Sequence, residues 1–205
     1  MKTIYYVPTV HSLNEINTEI AKTLRDTDDQ EVSAIWEKYE KQVKKYWQSI
    51  KSWLYENIKD FHNVVIYLDS LPVLDHKYIS LYFFELLSGC PTCPNYQCVK
   101  WLLDQGASLE GTNHFRLLRL FEAAHIEMIK DPDTCFFYEH WVNNIVHLRD
   151  RFIAQRIKTT LLNDSIGLLL LGCNHRTIDE LRKISKNIRV IIPSVCYVSA
   201  DEEGA

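Results

Sequence analysis

No apolar run in this 205-residue chain approaches the roughly 20 residues that a bilayer-spanning helix needs, so no membrane span is expected. The opening Met1-Lys2-Thr3-Ile4 has no basic region, apolar stretch and small-residue cleavage site, and the expected location is therefore cytoplasmic. Positive charge is also scarce: 23 Lys+Arg stand against 27 Asp+Glu, a formal charge of −4. That balance provides no electrostatic footprint for wrapping nucleic acid, so neither nucleic acid nor membrane is an expected partner. Two chemical signatures are missing as well. No glycine-rich phosphate loop follows the first strand-like run, and Ser12 lacks the glycine-flanked elbow of a hydrolase nucleophile. With 46% hydrophobic and 24% charged residues, the chain fits a globular class and not disorder or a fibrous repeat. Its six cysteines, in a cytoplasmic setting, read as free thiols.

What is present has the rhythm of an α/β protein. Thr3 to Val10 reads as a strand that ends at His11, and Ser12 with Glu15 forms a capping box for a short helix ending near Leu24. From Glu31 to Lys59 no Pro or Gly interrupts, and Ile35, Tyr39, Val43, Tyr46, Ile50, Trp53 and Leu54 recur at steps of three and four, which predicts one long amphipathic helix. Its lysines Lys38, Lys41, Lys44 and Lys45 interleave with Glu37 and Glu40 and read as a solvated face. Its aromatics serve either the core or a partner, and self-association through this helix, giving a homo-oligomer, is a further expectation. Asn63 to Asp69 reads as a buried strand broken by Pro72. Helices are predicted over 77–88, 96–105, 114–129 and 138–162, with Gly106 and Gly111 among the separators. A strand at Ile166 to Leu171, a helix at Thr177 to Lys186 and a strand at Ile188 to Ile192 close the chain. The expected fold is a single α/β domain over 1–198, a mostly parallel sheet of four or more strands with helices around it and a helix-rich middle. A frayed tail is expected over 199–205.

Three groups of residues could carry chemistry. His11 and His175 each close a strand-like run, and Asp69 is the first acidic residue after the second strand. In an open parallel sheet such positions converge on one crevice. Two imidazoles and a carboxylate could hold zinc, manganese or iron; alternatively each histidine merely caps a strand end. Arg149, Phe152, Ile153 and Arg156 share a helical stripe, so an arginine either turns inward to meet an anion such as Asp69 or stays solvated with Asp150 and Arg151. Cys90, Cys93 and Cys98 form half of a zinc motif that Cys135 or a histidine could complete, or else a tight proline-bracketed turn with free thiols.

The order of these motifs resembles a family. Arg149-Asp150-Arg151-Phe152-Ile153-Ala154 on a helix, followed by Gly172-Cys173-Asn174-His175 after the next strand, is similar to the carboxyl-terminal signature of the TraB/PrgY and Tiki proteins. These belong to a wider group with the erythromycin esterases and ChaN-like proteins. That group opens on a strand leading to a GxxH motif, where this chain has Pro8-Thr9-Val10-His11. The resemblance implies His11, Arg149 and His175 in one cleft beside an acidic residue, for which Asp69, Glu85 and Glu110 compete. It further implies either metal-dependent peptidase chemistry, as in Tiki, or metal-free esterase chemistry.

The expected function is thus a hydrolase acting on a small-molecule or peptide substrate. His11, Asp69 and His175 would bind a divalent metal and activate its water, Arg149 would hold developing negative charge, and Asp150 would orient Arg149 or a histidine. In a metal-free variant one histidine is the general base. The competing expectation is a binding or interaction module on the same fold.

Overall fold

The computed structural model describes residues 1–11, 29–130 and 135–197; the expected helix from Ser12 to Leu24 and the expected tail lie outside them. Strand β1 (Lys2–Pro8) is followed by α1 (Gln30–Asn57), a 3-10 turn (Phe61–Asn63), β2 (Val64–Pro72), α2 (His76–Gly89) and α3 (Pro94–Asp104). Then come β3 (Ser108–Asn113), α4 (Phe115–Lys130), α5 (Cys135–Thr160), β4 (Ile166–Leu171), α6 (Thr177–Ile184), β5 (Ile188–Ile191) and a closing 3-10 turn (Ser194–Tyr197).

The five strands of the described residues form one parallel sheet in the order β3-β2-β4-β1-β5. Connections from β1 to β2 and from β2 to β3 step toward one edge, while those from β3 to β4 and from β4 to β5 step toward the other. Right-handed crossovers must then place the two sets of helices on opposite faces. The core divides accordingly. Val43, Trp47, Ile50 and Leu54 of α1, Phe83 of α2 and Leu102 of α3 pack against Ile66, Leu68, Leu168 and Leu170. Ile153 and Ile157 of α5, Leu161 just past its end and Leu181 of α6 pack against Ile4, Tyr6, Tyr67, Leu169 and Leu171. The strict alternation along β4 is why its run of leucines reads as continuous: the strand is buried on both faces.

Within the described residues the predicted elements recur with two corrections. Ser108–Asn113 is a strand and not a separator, pairing with β2 from Val65↔Ser108 onward. Its Ser-Leu-Glu-Gly-Thr-Asn sequence has little β-branched character, and its place is set by β2 beside it. On α1, Ile35 is exposed and the buried stripe starts only at Val43, with Trp47 in it. The side chain of Asp29 caps this helix, accepting from the N–H groups of Glu31 and Val32.

The aromatics of α1 are largely spent inside the chain. Tyr46 donates to the Pro8 carbonyl at 2.6 Å, Trp47 to that of Val10 at 2.9 Å and Tyr39 to that of His11 at 2.7 Å. Trp53 meets Tyr5 edge-on at 5.0 Å. Three side chains therefore fasten the end of β1 and the segment leaving it, each by bonding a backbone carbonyl.

Candidate active site

Neighbouring strands β2 and β4 send their connections in opposite directions, so the sheet has a switch point between their carboxyl ends, where a crevice is expected in parallel sheets. Asp69 and His175 stand there. Asp69 follows the last regularly paired residue of β2: Leu68 pairs Gly111, and the next pair is Pro72 with Asn113. Three residues of β2 thus oppose the single residue Thr112, an irregularity that lifts Asp69 out of the ladder. Gly111 permits it, since a Cβ there would lie 2.2 Å from the Pro72 carbonyl oxygen. The Thr112 hydroxyl donates to the Leu68 carbonyl at 2.6 Å. By alternation Asp69 faces the same side as Tyr67, toward α5.

His175 lies in the turn after β4, its N–H bonded to the Gly172 carbonyl at 3.2 Å. Its Nδ1 donates to Asp150 Oδ1 at 2.7 Å, and its Nε2 faces Asp69 Oδ2 at 3.5 Å. Asp150 is held by two further donors: the Thr177 hydroxyl at 2.6 Å and the Arg176 N–H at 2.9 Å. One residue earlier, Arg149 donates from Nη2 to Asp69 Oδ1 at 2.7 Å and from Nε to Asn113 Oδ1 at 2.7 Å, with its guanidinium 4.8 Å from the Phe121 ring centroid. Arg149 is only 3% exposed and Asp150 1%, so the inward option holds for both while Arg151 stays exposed.

Burial disfavours the imidazolium of His175, but hydrogen bonds to Asp150 and Asp69 and the charges of both outweigh it and raise the pKa to about 9. Burial likewise works against the Asp150 carboxylate, yet its bonds from His175, Thr177 and Arg176 hold it below the ordinary carboxylate range. Asp150 and Asp69 thus both favour the protonated imidazole of His175.

Among the three competing acids, Asp69 is the one that meets Arg149 and His175. Glu110 instead pairs with Arg156 at 2.7 Å and approaches His76 at 3.7 Å, and Glu85 lies exposed on α2, across the sheet. His11 is exposed just beyond β1. The spacing of His175 Nε2 and Asp69 Oδ2 suits two ligands of one ion, and the carboxylate on Nδ1 is the usual outer partner of a metal-bound imidazole. The remaining donors do not complete such a set: Arg149 sets a positive charge against Asp69, and among the described residues no three His, Cys, Asp or Glu side chains are arranged to hold a metal.

Three contributors were not legible as site residues: Tyr6, Asn113 and Thr177. Tyr6, on β1, donates to the Gly172 carbonyl at 3.3 Å; its pKa is pushed up to about 12 by burial and then by the charges of Cys173, Asp150, Cys196 and Asp69. An aromatic inside a strand reads as core, and only strand order brings it beside the Gly172 turn.

The cysteines require a correction. Cys90 and Cys93 are joined as a disulfide, their Cα atoms 5.4 Å apart across a turn in which the Cys93 N–H bonds to the Cys90 carbonyl. Cys98, Cys173 and Cys196 are free. No helix among the described residues is long and apolar enough to cross a membrane. In comparisons with known proteins, no family model, no curated protein and no solved structure matches this chain.

Proposed function

We propose that the chain is a hydrolase-type domain of the TraB/Tiki and erythromycin-esterase kind, in which His175 and Asp69 divide the proton transfers and Asp150 positions the imidazole. The observation that carries this reading is His175 itself: Nδ1 fixed by a carboxylate at 2.7 Å, Nε2 turned toward a second carboxylate at 3.5 Å. Neighbouring groups that push two titrations apart are the usual mark of an acid–base pair. At neutral pH His175 carries its proton and acts as general acid toward a leaving group through Nε2. Asp69 is the base that takes a proton from water, and Arg149, anchored on Asn113, limits the charge that develops beside it.

A second reading, a ligand-binding module without turnover, is favoured by the near-complete burial of Arg149, whose charge Asp69 already meets. One experiment separates the two. Wild type, His175→Gln, Asp69→Asn and Asp150→Asn are assayed on a panel of esters, short peptides and phosphoesters, with and without added zinc or manganese. Turnover by wild type that falls about 100-fold or more in His175→Gln and Asp69→Asn supports the hydrolase. Folded wild type that is inert on the whole panel, or variants that keep full activity, overturns it.

A further inference from the structure

On the face of the sheet that α1 covers, α2 and α3 meet at a corner built from Cys90-Pro91-Thr92-Cys93. Cys90 caps the end of α2, bonding the Leu86 and Leu87 carbonyls, and Cys93 sits at the N-cap of α3 with Pro94 as its first helical residue. The two residues of the resulting disulfide differ in access: Cys90 is half-buried, Cys93 fully buried. Beside the corner, between α1 and α3, lies a groove of about 470 Å³ that reaches Thr92, between the two cysteines. Lys44, Lys51 and Lys100 line it; Asp104 is its one acidic residue and pairs with Lys100 at 2.6 Å. Lys51 also lies 4.9 Å from the ring centroid of Trp101, which forms part of the wall. On a chain of formal charge −4, this concavity is locally positive.

We infer that the Cys90–Cys93 disulfide is a thiol–disulfide exchange site and that the lysine-lined groove seats its co-reactant, a small anionic thiol. The volume suits a molecule of tripeptide size, and the lysines favour both carboxylates on that molecule and its attacking thiolate. The thiolate attacks Cys90 Sγ, on the less buried of the two residues, forming a new S–S bond as the Cys90–Cys93 bond breaks. The electron pair leaves on Cys93 Sγ at the N-cap of α3, where the helix dipole favours a thiolate. A second thiol molecule attacks the sulfur of the first and departs with it as a disulfide. Cys90 is left as a thiolate, and both cysteines take protons from solvent. Two external thiols are thereby oxidised to one disulfide, and the protein disulfide is reduced to two thiols. Cys98, on the groove wall, does not compete: it is buried, and burial pushes its thiol up to about 12.

The test uses the full chain and two probes of opposite charge, reduced glutathione and cysteamine, with alkylation and mass spectrometry reading each cysteine. Glutathione is expected to open the disulfide through a transient adduct on Cys90. The double variant Lys51→Ala with Lys100→Ala should slow that reaction about tenfold while leaving the cysteamine reaction unslowed. Cys93→Ser should trap the adduct on Cys90. The inference is overturned if Cys90 and Cys93 stay reduced after treatment with oxidised glutathione. It is equally overturned if the adduct forms at Cys93 or Cys98, or if the lysine substitutions affect both probes alike or neither.

Discussion

The alkaline limb of stability should belong to His175. Its pKa rises from the ordinary 6.5 to about 9 in the folded chain, which corresponds to about 3 kcal/mol of folding stability. The folded state holds the proton more tightly than the unfolded one. The contribution is therefore full below pH ~6.5 and disappears as pH rises through about 9, with most of the loss between pH 7 and 10. Other groups also titrate in that range, so the informative quantity is the difference between wild type and His175→Gln. Urea unfolding followed by circular dichroism at pH 7, 8, 9 and 10 should show the wild-type midpoint falling by about 1 M more than that of the variant. The same titration is visible directly: the Cε1 proton of His175, assigned by its absence in the variant, should move with a midpoint near 9. Parallel pH profiles for the two chains, or an imidazole that titrates near 6.5, would refute the argument that Asp150 and Asp69 jointly hold this proton.

Asp150 supplies the opposite limb. Its folded carboxyl lies below the ordinary range, so its contribution is present above that range and is lost as pH falls through the lowered value; Asp150→Asn should flatten the acid side of the unfolding profile. If the hydrolase reading holds, turnover should decline as pH rises through about 9, because the general acid loses its proton; turnover that climbs through the same pH would make His175 a base instead. Arg149→Met leaves Asp69 without its closest cation and should cost about 3 kcal/mol in chemical unfolding. Gly106→Ala should cost about 2 kcal/mol, because φ there is +100° and the new Cβ would fall 2.4 Å from the His62 ring.

The parts of this fold that could be read from the chain are those where local pattern and tertiary environment agree. Leu168 to Leu171 and Val64 to Leu68 are buried on both faces, so continuous apolarity is what their environment demands, and the two strand ends could be located well enough to single out Asp69 and His175. Strand β3 could not be found this way, since glycine and asparagine each mark a turn in isolation and glutamate is depleted in strands. Here the glycine accommodates the β2 irregularity, the glutamate meets Arg156 and the asparagine holds Arg149. Each residue that weakens the strand signal serves the polar network at the sheet's edge.

The same conflict explains why Arg149 and Asp150 resisted a joint reading. Consecutive helical residues point about 100° apart, so a helix lying on a sheet buries one and exposes the other. Both are buried because α5 meets several neighbours at the switch point: Arg149 reaches β2 and β3, while Asp150 reaches the turn that opens α6. Periodicity speaks to one packing face at a time. Burial on two sides, forced by the strand order β3-β2-β4-β1-β5, lies beyond it. It follows that Arg149 and Asp150 belong to one coupled unit through Asp69 and His175, and that their substitutions should not add. Asp150→Asn combined with Arg149→Met is expected to destabilise by clearly less than the two separate losses, because each single change already leaves a buried charge without its partner. Strict additivity in urea unfolding would mean that the two halves of the cluster fold and respond independently, and the single-site description would fail.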